Sequence, residues 1–275
     1  MNQKRQQELL EYYWDGEPIH HPSKGRSKPQ AKVIQTRIRS CVLLSLYLLF
    51  SHQVLHRSPA SPSIFHTLLS IAGAAYVADL ISGMIHMYID FGVSDQLNPV
   101  HKLLFLSRVH HHEPSRPAKL DYASLWYPTA LYSFLIVAVV PVAMIFLAKA
   151  LSILLGVTIY STSKNYSIFW VSMMWWSSIS QVSHAFAHGK AQSRWGRMVT
   201  SKLQGIGLLL SPRVHGIHHR EIGRNFSILN GWANPLLNAI FKGYIESRVS
   251  EVTAAKRQKA DIKRKLSYPY AEILS

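Results

Sequence analysis

Apolar residues gather in this chain as long runs separated by short polar stretches. Ile64 to Ile85, Thr129 to Val157 and Ile168 to Phe186 are too long for core strands, and each is close to the roughly 20 residues that cross a bilayer as helix. A fourth run, Cys41 to Leu55, is shorter and interrupted by His52. The pattern predicts four membrane helices, the first open to tilting or to pairing with the second. A mobile basic tail over residues 1–40, a membrane domain over 41–245 and a basic C-terminal tail over 246–275 complete the expected organisation.

Composition agrees with a membrane protein: 48% of the 275 residues are hydrophobic and 16% are charged. A net charge of +16 raises nucleic acid as a partner. The basic residues, however, flank the apolar runs and form no stripe interleaved with aromatics, so nucleic acid is not expected. They crowd residues 1–40, the segment between the second and third runs, and everything after His188, while the connections around Arg57 and Lys164 hold few. The positive-inside rule then puts both termini and the 87–128 loop in the cytoplasm. Trp126 and Tyr127 fit an interfacial aromatic belt. Glu8, Glu11, Asp15 and Glu17 in the first 40 residues fit neither a secretory signal nor an acid-poor transit peptide. Cys41, the single cysteine, cannot form an intrachain disulfide or supply a cluster of thiolates.

The candidate chemistry lies in the fifteen histidines. His86 ends the second run in "DLISGMIHMYID"; His110, His111 and His112 stand in "RVHHHEP"; His184 and His188 form "HAFAH"; His215, His218 and His219 form "HGIHH". The topology brings all of them to one membrane face, as a His-rich helical cap on the cytoplasmic side. Residues four apart share a helix side, so His184 and His188 can reach one metal, and His215 with His218 or His219 can do the same. Asp90, four residues after His86, is either a further ligand or the acceptor that orients a ring. The imidazoles exceed what one ion needs, which implies two metals. A pair of irons at a membrane surface is a recognised means of turning dioxygen on an unactivated C–H bond.

Taken in order, "DLISGMIHMYID", "RVHHHEP", "HAFAH" and "SPRVHGIHHREIGRNFSILNGWANPLLN" resemble the lipid desaturase family that includes plasmanylethanolamine desaturase and the plant chloroplast palmitate desaturase. The similarity covers roughly residues 76 to 240. It implies iron ligation by His86, His110, His111, His184, His188, His215, His218 and His219. His112 falls at a variable position of the family motif, and Met87 stands where a tryptophan often follows the first histidine. Asn225, Gly231 and Asn234 follow the last His motif as in the chloroplast branch, whereas "GWANPLLN" is also similar to the plasmalogen branch. Glu113 is expected to accept a hydrogen bond from an imidazole or from Arg108. His101 lies outside the matching motifs, and His20, His21, His52, His56 and His66 are read as structural or solvated.

The expected protein is thus an all-α integral membrane di-iron lipid desaturase with about four transmembrane helices. It would act on a phospholipid alkyl or acyl chain with O2 as co-substrate. No haem module or dinucleotide fingerprint is visible, so electrons are expected from a partner such as cytochrome b5 or ferredoxin. The expected membrane is the endoplasmic reticulum in a eukaryote or the inner membrane in a bacterium. Three rivals remain at this stage: a chloroplast-type palmitate desaturase acting on phosphatidylglycerol, a lipid or sterol hydroxylase, and a His-rich metal transporter. The "MMWWSS" cluster, residues 173–178, is read as helix packing, with a wall of a substrate tunnel as the alternative.

Overall fold

The computed structural model describes residues 30–57, 63–91, 116–155, 164–190, 192–221 and 223–247. Among the described residues all regular structure is helical. In chain order the helices are α1 (Gln30–Arg57), α2 (Ile64–Phe91), α3 (Arg116–Lys119), α4 (Tyr122–Leu155), α5 (Lys164–Ser178), α6 (Ser180–Ala187), α7 (Arg194–Gly205), α8 (Pro212–Arg220) and α9 (Asn234–Ile240). Three stretches are long and apolar enough to cross a membrane: Val33–His56 within α1, Ile64–Phe91 and Tyr122–Leu155. Their outward surfaces carry exposed large side chains, including Leu48 and Leu49, Leu68 and Leu69, and Phe146 and Ile153. So much exposed apolar surface on helices of this length fits a lipid surrounding.

The fourth run departs from the expected single span. It folds as α5 and α6, which meet at Ile179. The 15 residues of α5 rise only about 22 Å, less than a bilayer core. The Ser178 hydroxyl donates back to the Trp175 carbonyl at 2.8 Å and competes with the helical ladder where α5 ends.

Helix α5 is the central post, packed on α1, α2 and α4. Small residues on α2 allow the approach: Ala74 and Ala78 are buried against Met173 of α5 and Leu229. On the other side of α5, Met174 joins Leu43, Tyr47, Ala130 and Val137, with Trp126 and Trp175 packed against them. The Tyr47 hydroxyl donates to the Ala130 carbonyl at 2.7 Å, and the Trp175 indole N–H donates to Ser51 Oγ at 3.1 Å. The aromatic cluster of α5 therefore serves helix packing. Helices α6, α8 and α9 close the end of the bundle where α2 finishes, α6 against α8 and α9 against α2. His66, near the start of α2, lies about 30 Å from His86 along that helix. His52 and His56, near the end of α1, pair with each other at 5.6 Å between ring centroids.

Candidate metal centre

Two helix ends and one short helix supply the donors. The last turns of α2 carry His86 and Asp90, the C-terminal half of α6 carries His184 with His188 as its cap, and α8 carries His215, His218 and His219. Helix α8 forms because Ser211 accepts from the Val214 N–H at 3.2 Å and Pro212 begins the first turn.

Four imidazoles converge through Nε2. His215 Nε2 lies 3.0 Å from His184, 2.8 Å from His188 and 3.0 Å from His219. His188 Nε2 lies 3.1 Å from His184 and 3.3 Å from His219. Each Nε2 can give or accept only one hydrogen bond with a neighbour, so these five close contacts cannot all be hydrogen bonds. Nitrogens bound at about 2.1 Å to one ion stand about 3.0 Å apart at right angles and about 3.4 Å apart in a tetrahedron. The observed spacing matches shared ligation. Burial holds the His215 imidazole well below its usual pKa, and the surrounding imidazoles lower it further. Neutral imidazole is the form that ligates metal.

A second cluster lies beside the first. Asp90 Oδ2 is 3.5 Å from His86 Nε2 and 3.5 Å from His218 Nε2, and all three residues are buried. His86 Nδ1 donates to the Phe226 carbonyl at 2.9 Å, and His218 Nδ1 donates to the Arg224 carbonyl at 2.9 Å. With Nδ1–H so engaged, each ring turns its Nε2 toward the carboxylate, an arrangement of donor atoms that a cation satisfies. The His86 ring is centred 5.9 Å from that of His184, and the His218 ring 5.7 Å from that of His215, so the clusters adjoin. Residues three and four apart on α8 divide between them: His215 and His219 face the first cluster, His218 the second.

The carbonyls that aim His86 and His218 come from one turn. Asn225 between them adopts φ 59°, a left-handed conformation that asparagine tolerates. Its side chain and backbone are held by Asn238, each contact at 3.0 Å. The following segment is fixed by Asp79 of α2, which is fully buried. Its Oδ1 accepts from the N–H groups of Leu229, Asn230 and Gly231 at 3.0–3.2 Å, and its Oδ2 from Ala233 at 2.9 Å. Gly83, one turn before His86, lets this segment approach: a Cβ there would overlap Leu237 and lie 2.8 Å from Ser227 Oγ. Asp79 and Gly83 had drawn no role in the sequence, although an acidic residue within an apolar span is a recognisable signal.

His110, His111, His112 and Glu113 lie outside the described residues, as does His101. The segment resumes at Arg116, where a cavity of about 790 Å³ is lined by Arg37, Lys119, Asp121, Tyr122 and Lys190. Lys190 follows His188 by two residues and donates to the carbonyls of Leu120 and, at 3.4 Å, Ala118. Its ammonium also sits 4.5 Å from the centre of the Tyr122 ring. Burial lowers its pKa, with Asp121 opposing the shift.

Fold and site together define a helical membrane protein with a histidine-rich candidate metal centre at one end of its bundle. The lipid desaturase domain model matches residues 75–259, and the chain belongs to that family. No curated protein and no solved structure matches it. Membership implies an oxidoreductase that acts on lipid.

Proposed function

We propose that the chain is a membrane di-iron desaturase that introduces a double bond into a phospholipid alkyl or acyl chain with O2 and external electrons. The observation that carries this reading is the pair of adjoining donor clusters, His184–His188–His215–His219 and His86–Asp90–His218. The first would hold one iron. The second would hold the other, and the sequence motifs add His110 and His111 to the ligand set of the pair. When bound, the irons supply dioxygen activation strong enough to abstract hydrogen from an unactivated carbon. The chain's own residues hold that chemistry in place. The Phe226 and Arg224 carbonyls fix the His86 and His218 rings, Asp79 fixes the segment bearing those carbonyls, and the buried surroundings of His215 and His218 exclude water.

The cavity beside Lys190 supports a phospholipid substrate, because Arg37 and Lys119 set two cations against one carboxylate, Asp121, along its lining, and Lys190 ties that lining to the chain two residues after His188. A phosphate there would hold the headgroup near the segment that follows His188. In this arrangement α5 and α6 together make a fourth crossing, about 36 Å long over 24 residues, and the histidines and both termini are cytoplasmic. Basic residues on that face would attract an acidic carrier such as cytochrome b5 or ferredoxin. Plasmanylethanolamine desaturation is the preferred reaction, with phosphatidylglycerol-linked palmitate desaturation and hydroxylation as alternatives. A metal transporter is disfavoured, because both clusters sit at helix ends whereas a transport path needs ligands near the midplane.

Lipid analysis of a host with and without the gene separates the readings. The expected product is an acid-labile vinyl ether lipid, two hydrogens lighter than its precursor. A new acyl double bond would assign the chloroplast-type reaction, and a gain of one oxygen would assign hydroxylation.

A further inference from the structure

Helix α7 is joined to the bundle by a small part of its surface. Among its described side chains Thr200 alone is buried, tied through Oγ1 to Gln192 Oε1 at 2.7 Å. Beyond its C-terminus, Gly207 turns the chain at φ 73° and sends Leu209 and Leu210 into the interior. On the side away from Thr200, Trp195 is 75% exposed, Met198 42%, Val199 50% and Ile206 69%. Their spacing places them on one stripe along the helix and its cap. Arg194 and Arg197 stand together along one edge of this stripe, on the side of Ser201, and Lys202 rises within it, with a stem long enough to carry its charge past the apolar strip. From Gly189 to Arg220 the chain has no acidic residue.

We infer that α7 lies in the plane of the membrane surface, with Trp195, Met198, Val199 and Ile206 immersed among acyl chains and Arg194, Arg197 and Lys202 on anionic headgroups. This is independent of the reaction assigned to the metal centre. Apolar exposure on one face, tryptophan at the boundary and cations without acids are the features of an interfacial helix. A protein partner fits less well. Four side chains along about 16 Å make a strip smaller than the roughly 800 Å² per partner of a standard interface. Position agrees, since α7 starts six residues after His188, where the chain has just left the last apolar run. The structural effect is to seat the end of α6 and the start of α8 at the lipid surface, because Gln204 of α7 donates to the Leu210 carbonyl at 2.9 Å just before α8.

The test is nitroxide depth measurement on the iron-loaded full chain in nanodiscs containing phosphatidylglycerol, with Cys41→Ser removing the native thiol. Labels at Met198→Cys and, separately, Val199→Cys should collide with O2 several-fold more than with a water-soluble nickel chelate. A label at Ser201→Cys, off the stripe, should show the opposite ratio. The two stripe positions guard against loss of one variant to misfolding. Nickel accessibility at 198 and 199 equal to that at 201 would overturn the inference. So would shielding from both reagents with dipolar broadening, which would assign the face to a second copy of the chain.

Discussion

His218 and His219 are adjacent in sequence and serve different clusters. Nε2 of His219 lies 3.0 Å from His215 Nε2, whereas Nε2 of His218 lies 3.5 Å from Asp90 Oδ2. Under the proposed di-iron reading, His218→Ala and His219→Ala should each abolish product while weakening different ions. Metal analysis should fall from about two irons per chain toward about one in each variant, with membrane insertion unchanged. His184→Ala should behave like His219→Ala. Zinc as the sole metal of an active preparation would remove the iron assignment.

Asp79 gives a stability prediction separate from metal. Replacing it by alanine leaves four N–H groups, three of them buried, without their acceptor and should destabilise by at least about 3 kcal/mol, from about 1–3 kcal/mol for each buried group left unsatisfied. Asp79→Asn keeps an acceptor oxygen and should lose less. Thermal unfolding of the detergent-solubilised protein reads the difference.

Acid should destabilise the metal-free protein through His215. Its folded pKa lies below the unfolded value of about 6.5, so the unfolded chain binds the proton first as pH falls. The stabilising contribution of the neutral ring is therefore complete above about pH 6.5 and declines as pH drops below it. Unfolding temperatures measured across pH 7.5 to 5.5, values bracketing that pKa of about 6.5, should fall, and His215→Gln should flatten the curve.

The histidine triplet offers an alignment test. His110→Ala and His111→Ala are expected to lose iron and product, while His112→Ala keeps most of each. Equal iron loss in His112→Ala, at normal expression, would shift the ligand pair by one position.

Topology is testable by glycosylation in a eukaryotic endomembrane. "NYS" at 165–167 and "NFS" at 225–227 both fit the acceptor pattern. Glycan should never appear on Asn225, which shares the histidine side and is bonded through its side chain to Asn238. Its appearance there would overturn the proposed orientation.

Most of the helical plan was legible because long apolar runs report on the solvent around them. The break at Ile179 was not, because mean hydropathy measures how much apolar chain is present and takes no account of a Ser178 hydroxyl that bonds back to its own helix. Spacing indicated that His184 and His188 share a side, but left His218 and His219 as alternatives on α8. Only the packed position of α8 between α6 and the end of α2 decides which ring faces which cluster. Asp79 was hidden for a different reason. Its acceptors are filled by residues about 150 positions away, and no local period encodes such a contact.

Helix α8 carries His215, His218 and His219 and is the element common to both clusters, while α6 and the end of α2 each serve one. A change in the tilt of α8 would therefore strain both donor sets at once, whereas a movement of α6 or of the end of α2 would reach only one of them directly. Sequence change around the histidines is then least tolerated along these nine residues, where repacking a single side chain disturbs two clusters.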